Sequence, residues 1–127
     1  MRLYLNQGGI MARGKLDQYR CAVEITVHIA GGKWKPLIIH YLLSGTKRFG
    51  ELKKLIGGVT QRSLTLQLRE LEASGIVSRE VFAEVPPRVE YTLTALGTTL
   101  APTLEAMKAW GELYLQSKTR KRKTTAS

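Results

Sequence analysis

Apolar positions change period several times along this chain, and the changes mark out its elements. Leu64, Leu68 and Leu71 fall within about 60° of one another around a helix and make a buried stripe. Just before them, Phe49, Leu52, Leu55 and Ile56 repeat at three and four and predict another amphipathic helix, with Gly57-Gly58 as the turn between the two. Upstream, Leu37, Ile38, Tyr41 and Leu42 form one helical face. Lys33-Trp34-Lys35-Pro36 opens that helix, because proline is tolerated only in a first turn; the spacing predicts a helix from about Trp34 to Leu43 that stops near Ser44-Gly45. A short extended piece follows at Thr46 to Arg48. Val23, Ile25, Val27 and Ile29 alternate as in a strand while Val23, Val27 and Ala30 also fit a helix, so period alone leaves this segment open.

Beyond Leu71 the period shortens to two. Val77, Arg79, Val81 and Ala83 alternate with Ser78, Glu80, Phe82 and Glu84, and a return strand sets Val89, Tyr91 and Leu93 against Arg88, Glu90 and Thr92. Val85-Pro86-Pro87 lacks two ladder donors and must be the tip or an exposed edge. From Thr94, a plausible N-cap, apolar residues recur at Leu96, Leu100, Leu104, Met107, Trp110, Leu113 and Tyr114, and Pro102 is expected to bend this last helix. One small domain seldom needs so long an apolar stripe to cover itself. Leu100, Leu104, Met107, Trp110 and Tyr114 are therefore the candidate homodimer contacts, with packing back on the same chain as the alternative.

The order helix, Gly-containing turn, helix, hairpin is the plan of a winged helix-turn-helix: a mainly α fold with a small β hairpin and a C-terminal dimerisation helix. Thr60 is a good N-cap for the second helix of the pair. The face of that helix opposite its leucine stripe carries Arg62, Thr65, Leu66, Arg69 and Ala73. A bare leucine is out of place on a solvated surface, whereas in a major groove it can meet a thymine methyl beside arginines aimed at guanine edges; a solvated face with one stray leucine is the competing reading. Arg48, Thr60, Gln61, Ser63 and, in the hairpin, Arg88 complete the candidate DNA-binding set. Arg88 is expected either at a phosphate or minor groove or in a salt bridge to a strand acid.

Charge supports a polyanionic partner, since the chain carries a formal +10 with a pI near 10.1. The surplus is uneven: +4 over residues 1–46, +2 over 47–90 and +4 over 91–127, so nonspecific attraction and specific reading are divided between segments. The expected organisation is a flexible N-terminal segment over 1–20, one domain over 21–117 and a disordered basic tail over 118–127, the tail serving solubility or gripping phosphate. Met11 is a second plausible start, so nothing mechanistic rests on residues 1–10. No run approaches the roughly 18 apolar residues of a membrane span and no export signal is visible, which predicts a cytoplasmic protein.

The chain resembles the HxlR-type family of bacterial winged-helix transcription regulators, related in architecture to the MarR group. The resemblance is carried by Cys21 with Val23-Glu24, Gly31-Gly32-Lys33-Trp34, Arg48-Phe49 with Glu51-Leu52, Leu64-Thr65 with Leu68-Arg69 and Leu71-Glu72, Val85 to Tyr91, and Trp110-Gly111, over about residues 21–111. It implies a homodimer on operator DNA and a helix over 23–30. The family pattern usually has proline after the cysteine, where this chain has Ala22. Two-fold symmetry then implies a palindromic operator.

Cys21 is the sole cysteine, which excludes an intrachain disulfide and a cysteine-rich zinc site, and His28 and His40 add too little for a metal; no cofactor is expected. A lone thiol is usually inert. The resemblance implies the other role as well, since some family members sense electrophiles or oxidants with a cysteine at this place, and Arg20 and a helix start would favour thiolate. A small-molecule or oxidant effector thus stays open. An enzyme is disfavoured: no Asn or Asp is placed to orient His28, and no Gly-rich phosphate loop appears. An RNA- or protein-binding winged helix is the alternative in function.

Overall fold

The computed structural model describes residues 18–126, with side chains described through residue 120. The expected flexible segment over 1–20 therefore lies almost wholly outside the described residues. The elements, in order, are α1 (Ala22–Ala30), α2 (Lys35–Leu42), β1 (Lys47–Arg48), α3 (Phe49–Ile56), α4 (Gln61–Ala73), β2 (Val77–Phe82), β3 (Arg88–Leu93), α5 (Ala95–Thr98) and α6 (Ala101–Ala126). Residues 22–30 are helical, which settles the ambiguity left by their period. Their alternation does not match a buried sheet face, because Val23 and Val27 are both exposed while Ala30 is buried.

The core is built where the helical stripes converge. Ile38, Ile39 and Leu42 from α2, Leu52 from α3, and Leu64, Leu68 and Leu71 from α4 are all buried, closed from the sheet side by Ile76, Val77, Tyr91 and Leu93. Gly57 and Gly58, at φ of 70° and 73°, make the left-handed turn that swings α4 across α3, a conformation other residues take only with strain. The Gly57 N–H still caps α3 by donating to the Lys53 carbonyl at 3.1 Å.

The extended piece at Lys47–Arg48 does more than connect. It pairs antiparallel with β3, Lys47 opposite Tyr91 and Arg48 opposite Glu90, so the sheet has three strands in the order β1-β3-β2. The hairpin pairs in the register Val77–Leu93, Arg79–Tyr91 and Val81–Val89, with the Pro-containing tip outside the ladder as expected.

Two expectations at the C-terminal end are corrected. Thr94 does cap a helix, accepting from the Gly97 N–H at 3.0 Å, but that helix is only the single turn α5; a separate helix begins at Ala101 with Pro102 in its first turn. Proline starts a new helix there instead of bending one, because its missing N–H falls where no intrahelical partner exists. The basic segment from Lys118, expected to be disordered, continues α6 to Ala126. Lack of apolar periodicity told what this stretch does not pack on, not whether it coils. Its Lys and Arg are good helix formers, and no Gly or Pro follows Gly111.

The junction of sheet and C-terminal helices is tight. The Thr94 N–H donates to the Ile76 carbonyl at 2.9 Å, its hydroxyl donates to Gly75 O at 2.6 Å, and a Cβ placed on Gly97 would lie 2.2 Å from the Ile76 carbonyl oxygen. Gly97→Ala is expected to destabilise the domain by about 1–3 kcal/mol through this clash. A lower urea midpoint at unchanged slope checks it; an unaltered midpoint would show that α5 shifts freely.

Candidate nucleic-acid interface

Helix α4 is set in place by its N-cap, its buried stripe and two ion pairs. The Thr60 Oγ1 accepts from the Ser63 N–H at 3.0 Å, and the Glu51 carboxylate performs the equivalent service for α3 by accepting from the Arg48 N–H at 2.7 Å. Lys35, nearly enclosed, reaches from α2 to Glu70 at 2.5 Å. Arg79 of β2 reaches Glu72 at 3.5 Å. The two acids of α4, Glu70 and Glu72, are thus each engaged by a cation from a neighbouring element.

On the opposite face the chain presents Arg62, Leu66 and Arg69 to solvent, and Leu66 is 52% exposed although leucine gains nothing there from water. Gln61 is exposed, and Thr65 and Ser63 are half-buried. Thr65 differs from its expected role in one respect: its hydroxyl donates to the Gln61 carbonyl at 2.8 Å, so what it offers a ligand is a methyl group and acceptor lone pairs. Thr60 is likewise occupied as an acceptor, and Arg48 is exposed at the start of α3. A convex helical face with two long cations flanking an apolar side chain suits base edges in a major groove, where arginine meets guanine and leucine meets a thymine methyl.

Behind α4, where it meets the hairpin, burial raises the Tyr91 hydroxyl above its usual value of 10.0, opposed by the positive charge of Arg79, reinforced by Glu72 and opposed again by Arg69. Tyr91 is therefore a neutral polar post between α4 and β3.

Arg88 does not stand free. Its guanidinium contacts the carboxylates of Glu84 at 3.1 Å and Glu90 at 3.5 Å and lies 4.1 Å from the centroid of the Phe82 ring. Of the two roles open to it from sequence, the salt bridge is the one with geometry. Lys53 and Lys54, both exposed, lie in the last turn of α3 beside the Gly57-Gly58 turn.

The candidate dimer contacts also divide. Leu104 is buried in the core and Leu100 packs against it, so these two are used within the chain; they face inward because α6 starts on the domain surface at α2. Farther along, Met107, Trp110, Leu113 and Tyr114 are between 46% and 63% exposed. Trp110 and Tyr114 stack at 5.4 Å, and Lys118 lies over the Tyr114 ring.

Cys21 is exposed at the N-cap position of α1, where its carbonyl accepts from the Glu24 N–H at 3.0 Å. The neighbouring Arg20 guanidinium is 3.3 Å from the Glu24 carboxylate, so its charge is shared with an acid before it reaches the thiol. Among the described residues there is no group of His, Cys, Asp and Glu able to hold a metal and no helix long and apolar enough to cross a membrane.

The model of the HxlR-like helix-turn-helix family matches residues 29–119. The HTH-type transcriptional regulator YdeP of Bacillus subtilis strain 168 is 55% identical over 94 residues, 74% of this chain and 73% of its own length. Among solved structures, the reduced form of the redox regulator HypR superposes with a TM-score of 0.72 at 51% identity, over 76% of this chain and 99% of that one. Its oxidised form gives 0.69 at 54%, over 72% and 95%. Reduced YodB of B. subtilis gives 0.65 at 40%, over 74% and 93%.

Alanine at Arg62 or at Arg69 is expected to cost about 1–3 kcal/mol on a cognate duplex and less on random DNA, as loss of a bidentate base contact requires. Titrating both duplexes at one salt concentration checks this; equal losses would assign the arginine to phosphate.

Proposed function

The chain belongs to the HxlR-like helix-turn-helix family of transcriptional regulators, and on that premise we propose that it binds a palindromic operator as a homodimer, with α4 of each protomer in the major groove. Such a regulator is not an enzyme. The observation that carries the reading is the division of α4: a fully buried leucine stripe on one side, and exposed Arg62, Leu66 and Arg69 on the other. Gln61, Thr60, Ser63, Thr65 and Arg48 line the approach to that face and serve as phosphate-side or groove-edge contacts.

Homodimerisation is supported by what α6 leaves exposed. Met107, Trp110, Leu113 and Tyr114 project from a helix that has already used Leu104 in its own core, and stacked aromatic rings half open to water are the kind of surface a second copy covers. On a two-fold symmetric operator the two α4 helices would lie about one duplex turn, roughly 34–36 Å, or a multiple of it apart.

A second element of the proposal is redox or electrophile response through Cys21. It rests on the exposed thiol and on likeness to a regulator solved in oxidised and reduced forms. With one cysteine per chain, the response is either an adduct on the thiol or a single disulfide between two protomers, and either has to bias dimer geometries that differ in DNA affinity.

Footprinting on the DNA beside its own gene is expected to protect two half-sites, and competition between duplex DNA and RNA of the same sequence excludes the RNA-binding alternative if the DNA wins. In sedimentation at micromolar concentration the wild type is expected to be a dimer and a folded Trp110→Glu variant a monomer; a monomeric wild type would remove the dimer from the proposal. Oxidant or quinone is expected to weaken operator binding by wild type and to leave Cys21→Ser unaffected, with nonreducing electrophoresis separating adduct from intersubunit disulfide. Equal retention of DNA by both proteins would make Cys21 structural.

A further inference from the structure

The hairpin is acidic where a DNA-gripping wing is expected to be basic. Glu80 stands directly opposite Glu90 across the β2–β3 ladder, a like-charge pairing that destabilises a sheet unless a cation intervenes, and Glu84 follows at the base of the tip. Arg88, two residues before Glu90 on the same face of β3, brings a cation to the Glu90 side of that pair. Its Nη2 is 3.1 Å from a Glu84 oxygen and its Nε is 3.5 Å from a Glu90 oxygen, while the guanidinium plane covers the Phe82 ring at 4.1 Å. The Nε is sealed from solvent and has no hydrogen-bond partner among the described residues, so its contact with Glu90 is attraction between charges and not a bond with donor geometry. Arg48 on β1 is the basic residue in the row of Glu90 and Glu80, and Arg79 on β2 is turned to Glu72 of α4.

We propose that Arg88 is a positioning residue that holds the wing in shape through Glu84, Glu90 and Phe82, and that it does not contact phosphate. Swinging it to a DNA backbone would forfeit the ring contact and take its charge away from Glu84 and Glu90. Together with the Arg79–Glu72 pair, which ties β2 to α4, this makes the hairpin a brace set against the reading helix, and it leaves the positive grip to residues outside the hairpin. The proposal rests on the DNA-binding reading above for its effect on affinity, while the shape of the wing is measurable without DNA.

The test compares Arg88→Ala, Arg88→Lys and Glu84→Gln with the wild type. In amide hydrogen exchange without DNA, Arg88→Ala is expected to speed exchange across residues 81–89 by about tenfold, Arg88→Lys by less because lysine keeps the charge but not the planar fork, and Glu84→Gln in the same direction. On a cognate duplex, Arg88→Ala and Glu84→Gln are both expected to weaken binding, by roughly 3- to 10-fold, with the dependence on salt unchanged. The opposite result overturns the proposal: Glu84→Gln tightening DNA binding while Arg88→Ala flattens the salt slope by about 0.9 would make Arg88 a phosphate contact restrained by Glu84. Unaltered exchange in Arg88→Ala overturns it as well. If the wild type binds no duplex, the DNA-binding reading falls and the exchange measurements alone decide the brace.

Discussion

Everything the molecule offers to a partner depends on how α4 is rotated, and that rotation is fixed by the burial of Leu64, Leu68 and Leu71 among Ile38, Ile39, Leu42 and Leu52. A fully buried leucine contributes roughly 1.5–3 kcal/mol, whereas an exposed ion pair gives about 0–1, so the stripe decides the orientation and the Lys35–Glu70 and Arg79–Glu72 pairs refine it. Once three leucines point inward, a helix with 100° per residue must point Arg62, Leu66 and Arg69 outward. The exposed face of α4 is the geometric complement of the core.

The C-terminal helix shows the same force acting without completion. Its start is held by Leu100 and Leu104 on the domain, but farther along Met107, Trp110, Leu113 and Tyr114 stay exposed. The short helix α5 sets this departure. Gly97 lets α5 approach the Ile76 carbonyl closely, and Thr94 ties the end of β3 to the start of β2, so the direction in which α6 leaves is determined by backbone contacts at one corner. The direction of α6 and the seat of the hairpin are thereby joined through a few atoms at one corner.

Much of this was legible in the residue order because the signals were local. The Thr60 cap, the Gly57-Gly58 turn, the Pro86-Pro87 tip and the leucine stripe each follow from one residue's chemistry or from a repeat of three and four, and the helix-turn-helix with its hairpin follows from their succession. Where pattern misled, it was mute on context. Pro102 was correctly marked as a disruption, but only the chain path shows that it begins a helix instead of bending one. Two residues of β1 are too few to carry a period, and their pairing with β3 is a contact across more than forty residues of sequence.

The sequence by itself determined the family plan, the core face of each helix and the identity of the residues on the reading helix, because helical and strand periods translate directly into faces. Tertiary structure decided what those residues are free to do. Arg88 and Arg62 are the same cation in a sequence, yet the fold encloses one between two carboxylates and an aromatic ring and leaves the other in solvent. Leu104 and Trp110 lie on one stripe, yet only the first meets the core. Periodicity describes a side chain's direction about its own helix axis; availability depends on which other elements arrive at that spot, and those come from distant parts of the chain.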